Sequence, residues 1–150
     1  MKAPQLLTDI GIDVHHRELR PVYKVNTQTK KVLGGEGLAL EMRISSGRDN
    51  LGQAVVMRLL TPRGELSALG HPGFGSRLHE IIGRTNTENT RGLARLFILE
   101  SLKEEVRIDS IEDVLISESP GRRSSIDVQI IVTPIGTTET LIIGPIVLEI

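Results

Sequence analysis

Four histidines mark where a metal or proton-transfer site would start: His15, His16, His71 and His79. A zinc or iron site takes three or four ligands at helix-face or turn spacing. Here His15 and His16 are adjacent, His71 and His79 stand eight apart, and cysteine is absent. Ordinary loop or surface histidines fit that pattern better than a metal centre. Gly70, Gly73 and Gly75 could cradle a phosphate, but Ser76-Arg77-Leu78 follows them and no Gly-Lys-Ser/Thr occurs, so they read as turn-makers that let Phe74 fold onto the core. Ser46, Ser67 and Ser76 lack the Gly-x-Ser-x-Gly setting of an activated nucleophile. Glu65, Glu80, Glu104 and Glu105 have the right chemistry for a glycosidase pair, yet nothing in their spacing joins any two. A solvated or ion-paired helix end accounts for Glu104-Glu105, and a charged hairpin loop accounts for Arg122-Arg123. The expectation is a chain that is not an enzyme, with no catalytic, cofactor or metal site.

The C-terminal run Leu141-Ile142-Ile143-Gly144-Pro145-Ile146-Val147-Leu148-Glu149-Ile150 is less ordinary. It is apolar at positions of both parities, where a strand packed on one face would alternate. Exposed, such a strand is an aggregation hazard. Two readings stand level: a strand buried within its own fold, and strand exchange with another subunit.

Composition narrows the function classes. Aromatic residues make up 2% of the 150, and only Tyr23, Phe74 and Phe97 could stack on a base or a sugar. With 18 Lys plus Arg against 19 Asp plus Glu, the formal charge of -1 creates no field favouring nucleic acid or an anionic membrane. The absence of cysteine suits a reducing compartment. Residues 1–13 lack a signal-peptide pattern and no apolar run reaches the ~20 residues of a membrane span, so a soluble chain that bypasses signal-dependent export is expected.

The elements that would position these residues divide into an arm at 1–46 and a domain at 47–150. In the arm, turns are predicted at Asn26-Thr27-Gln28 and Gly34–Gly37, with short strands at Val32-Leu33 and Leu38–Ile44. A helix capped by Asp49 puts Leu51, Ala54, Val55 and Leu59 on one face and ends at Thr61-Pro62-Arg63-Gly64. Glu65–Leu69 reads as extended and Ser76–Ile82 as a helical turn. Thr85 and Glu88 have capping-box spacing for a second helix from about Asn86 to Glu104. Its stripe is Ala94, Phe97, Ile98 and Leu102, and Leu93, Leu96 and Leu99 extend burial to more than one side. Ser110–Glu118, Ile126–Pro134 and Glu139–Ile150 form a three-stranded antiparallel meander. Helices followed by strands make the class α+β: two main helices packed on a small antiparallel sheet, with an N-terminal extended arm.

From Leu51 onward the order of features resembles the sheath-initiator baseplate wedge proteins of contractile phage tails and contractile injection systems, a family also labelled lysozyme-like. The likeness is carried by Leu59-Leu60-Thr61-Pro62-Arg63-Gly64-Glu65, by His71-Pro72-Gly73-Phe74-Gly75-Ser76-Arg77-Leu78, and by the helix from Asn89-Thr90 through Leu93 to Leu102. The family's Glu-Pro-Arg signature corresponds to Glu105-Val106-Arg107-Ile108. The chain departs from the pattern at Val106 for proline, at Leu66 where arginine often stands, and at His71 where arginine is usual.

The resemblance implies a structural subunit that joins the wedge scaffold to the sheath and templates the first sheath ring by β-strand exchange. Glu105 and Arg107 would then bind the wedge proteins, and Leu141, Ile143, Ile146, Leu148 and Ile150 the sheath protein. Further implications are contacts with the tail tube or hub, six copies in a closed ring, assembly in the bacterial cytoplasm, and no nucleic-acid or membrane partner. Two alternatives come with the family: a peptidoglycan hydrolase of the tail, and an anti-adaptor regulator of proteolysis.

Overall fold

A computed structural model describes residues 8–17, 20–25, 27–31, 38–42 and 44–150. Among these residues six short strands come first: β1 (Thr8–Ile10), β2 (Ile12–Arg17), β3 (Arg20–Val25), β4 (Thr27–Lys31), β5 (Leu38–Met42) and β6 (Ile44–Ser46). They pair antiparallel as β2 with β3, β4 with β5, and β1 with β6. Thr27 and Gln28, expected in a turn, lie in β4. Asn26, Val32-Leu33 and the glycine turn at 34–37 fall outside the described residues. The run expected as one strand from Leu38 to Ile44 is split, because β5 ladders with β4 while β6 ladders with β1.

Helix α1 (Gly47–Leu60) begins before Asp49, with Ser46 at its N-cap. Asp49 therefore complements the helix dipole from inside the first turn instead of capping it. Leu51, Val55, Leu59 and Leu60 are buried, and Ala54 is half-buried beside them. The helix stops at Thr61, whose extended backbone precedes Pro62, as a residue before proline must. The segment after it is pinned back: Ser76 N–H donates to Thr61 O at 2.8 Å, and Arg63 N–H donates to Ser76 O at 2.8 Å. Gly75 makes this approach possible, since a Cβ there would lie 2.5 Å from Thr61 O at a φ of 106°. Between these legs Glu65–Leu69 is not extended. Leu69 N–H reaches Leu66 O, and Gly70 N–H reaches Ser67 O, closing a 3-10 turn over Ser67–Leu69.

Helix α2 (Glu88–Leu102) follows a second 3-10 turn at Leu78–Ile81. Its N-cap is Thr87, which accepts from Thr90 N–H, and the Thr90 hydroxyl donates to Thr85 O. The Thr85–Glu88 capping box does not form, because Thr87 takes the capping position itself. Ala94, Phe97, Ile98 and Leu102 are buried as expected, with Leu93 and Leu99 packed at the margin. Leu96 is 57% exposed, so burial stops short of the full circumference.

The rest is the meander β7 (Ile108–Ser119), β8 (Arg122–Pro134) and β9 (Leu141–Glu149), antiparallel with β8 in the centre. Ile126, Val128, Ile130 and Val132 of β8 are fully buried and face the helices, which makes this strand the floor of the core. Each such side chain contributes roughly 1.5–3 kcal/mol through burial. The fold is α+β, with two helices on a small antiparallel sheet and an N-terminal extended arm.

β9 carries a bulge. Val128 lies opposite Ile146 and Ile130 opposite Ile143, so Gly144 and Pro145 are accommodated across from Gln129 alone. Gly144 has a φ of 113°, and a Cβ there would stand 2.6 Å from Val128 O. The shift puts both Ile143 and Ile146 on the inner face, followed by Leu148 and Ile150. No helix among the described residues is long and apolar enough to cross a membrane.

Candidate functional site

Arg58 sits in the last turn of α1, on the stripe where an apolar residue belongs. Glu105 follows α2 in a turn fixed by its N–H to Leu102 O and by Ile108 N–H to Glu105 O. Arg107 opens the sheet, its carbonyl accepting from Ile135 N–H. These elements bring three charges together out of water. Glu105 is 6% exposed, and Arg107 grips it with Nε to Oε1 at 2.7 Å and an Nη to Oε2 at 3.2 Å. The Arg107 backbone N–H adds a bond to the same carboxylate, and an Arg58 Nη stands 3.6 Å from Oε2. Burial alone would push the Glu105 carboxyl up. The Arg107 hydrogen bonds and charge, together with the Arg58 charge, overcome that and hold it below the usual carboxylate value.

Arg58 lies over Phe74, its guanidinium carbon 4.6 Å from the ring centroid, and its Nε is buried without a hydrogen-bond partner. Phe74, expected to fold onto the core, is half-buried beneath an arginine. Between the paired residues, Val106 points outward with 79% of its surface exposed. Glu105 and Arg107 are therefore brought into direct contact with each other, presenting an apolar side chain at the tip of their turn.

Arg58 escaped the sequence analysis, though a signal was available. It stands seven residues after Leu51 and four after Ala54, on the buried arc. A charge there requires a carboxylate partner.

The C-terminal residues take a different arrangement. Ile143, Ile146, Leu148 and Ile150 are buried in this chain's own core and Leu141 is half-buried against it. Ile142 faces the other way, 56% exposed. Among the described residues β9 is an edge strand, hydrogen-bonded to β8 on one side. On the outer face of the sheet a shallow cleft of about 450 Å³ is lined by Leu115, Ser117, Asp127, Gln129 and Pro145 among others.

The remaining candidates are scattered. Glu65 and Glu104 are exposed and separate, while Glu80 is held by both ends of the Arg77 guanidinium, whose hydrogen bond lowers its carboxyl. Arg77 also lies over Phe97, 4.5 Å from its centroid. Buried Ser76 donates its hydroxyl to Leu59 O, and Ser46 and Ser67 are exposed. His71 and His79 are exposed on separate turns; the side chains of His15 and His16 lie outside the described residues. Among the described residues, no three histidine, aspartate or glutamate side chains gather into a metal-ligand set.

No family model matches the sequence, and a search of curated proteins found no match. Among solved structures, a chain from Geobacter sulfurreducens described as a "putative tail lysozyme" is similar, with a TM-score of 0.54 and 23% identity. The match covers 73% of this chain and 97% of that one. At that identity the likeness is one of fold.

Proposed function

We propose that this chain is a structural, non-catalytic subunit of a phage tail or tail-like contractile particle, where it links the baseplate wedge scaffold to the sheath and templates sheath assembly. The observation that carries this is β9: its side chains are committed to the core while its outer main-chain edge has no strand laddered on it among the described residues. A sheath strand adding there would take affinity from main-chain hydrogen bonds and register from its alternating side chains. Leu141, Ile143, Ile146, Leu148 and Ile150 then act by holding the edge in place, and Ile142 is the side chain a new strand would meet.

On the wedge side, Glu105 positions Arg107, and the turn offers Val106 with the outward part of Arg107 to the scaffold. The fold shared with a chain described as a tail protein supports a tail assembly as the setting. Particles made without this chain should show baseplates lacking sheath in the electron microscope. Fully sheathed particles would exclude the role.

That same description gives a hydrolase reading a specific footing. It is weakened because Glu105 is taken up by two arginines and Glu80 by Arg77. Incubation of the purified chain with peptidoglycan discriminates: released muropeptides would establish hydrolysis, and none are expected.

A further inference from the structure

We infer that β2, within the N-terminal arm, is a strap that lies beside β9 and must move aside before another strand can add there. This rests on the strand-addition reading of β9. The anchor is Gln53 of α1, whose side-chain amide behaves as a short piece of strand: Oε1 accepts from Ile12 N–H at 2.9 Å and Nε2 donates to Ile10 O at 2.9 Å. Two main-chain groups flanking buried Gly11 are thereby satisfied at the junction of β1 and β2. The same helix holds the start of β9, through Arg48 to the Glu139 carboxylate at 2.9 Å and to Thr140 O.

With both segments tied to α1, Cα atoms of β2 come within 8 Å of Cα atoms of β9. An added strand needs a corridor about 4.8 Å from its neighbour along that edge. β2 ladders with β3 and not with β9, so its own hydrogen bonds survive when it swings away. Release breaks the two Gln53 bonds, which suits a cover that yields to a partner offering a full ladder. The strap also answers the hazard of an apolar edge strand, by blocking pairing with a second copy of this chain.

The test uses the full-length chain and no sheath protein, so its failure would leave strand addition itself standing. Gln53→Ala should speed amide hydrogen exchange in peptides covering Leu141–Glu149 by roughly tenfold, while α2 and β8 keep their wild-type rates. Unchanged exchange in β9, or equal acceleration in α2, would overturn the proposal. A second measurement is independent of exchange. The native chain has no cysteine, so spin labels placed by Asp13→Cys and Ile142→Cys report the distance between β2 and β9 directly. One short-distance population is expected with Gln53 present, and a broad, longer one with Gln53→Ala. A broad distribution with Gln53 present, or one insensitive to Gln53→Ala, would refute the strap.

Discussion

The turn at Glu105 and the strand at the C-terminus are built on opposite plans. At the turn, charged side chains are buried and spent on one another: Arg107 and Arg58 both serve Glu105. At β9, apolar side chains are buried, and among the described residues only β8 ladders with the strand. Side chains thus fix the shape in both places, and what each region presents outward is something else: Val106 at the turn, Ile142 at the strand.

The largest expected effect breaks the turn. Glu105→Ala leaves two arginines buried without their carboxylate and should cost about 3–5 kcal/mol in urea unfolding. Nearly as large, Leu148→Ala on the inner face of β9 should cost about 2–5 kcal/mol. Truncating Leu141–Ile150 would remove that residue with Ile143, Ile146 and Ile150, and would test folding more than partner binding.

Acid should separate the regions further. The Glu105 carboxyl is lowered in the folded chain, so its stabilisation is fully present above the unfolded value of about 4.3 and is lost as pH falls through the lower folded value. Urea midpoints should drop over that range in the wild-type chain. The part of the drop owed to Glu105 should vanish in Glu105→Gln, whereas Leu148→Ala should keep it. The smallest change is Ile142→Asp, expected within about 0.5 kcal/mol of wild type because the side chain is exposed.

How much of this was written in the sequence follows from the range of the forces involved. The meander was legible because Ile126, Val128, Ile130 and Val132 alternate along one strand and Gly121 and Gly136 punctuate it. The apolar stripe of α2 was legible for the same local reason. The cap was not, since Thr85 and Thr87 both offer a hydroxyl and only the turn geometry chooses. Glu65–Leu69 was misjudged because its 3-10 turn depends on the clamp between Thr61 and Ser76 around Gly75. The charge cluster joins Arg58 to residues far along the chain, and no local pattern announces such a pair. Gln53 likewise reads as one polar residue of a helix, and its grip on β1 and β2 exists only in three dimensions.

The most direct test complements particles lacking this chain with one of two full-length variants, Val106→Asp or Ile142→Asp, and images them by electron microscopy. With Val106→Asp the subunit should fail to join the baseplate. With Ile142→Asp it should be present in the baseplate while the sheath is missing or sparse. Normal sheaths on particles carrying Ile142→Asp would contradict strand addition at β9.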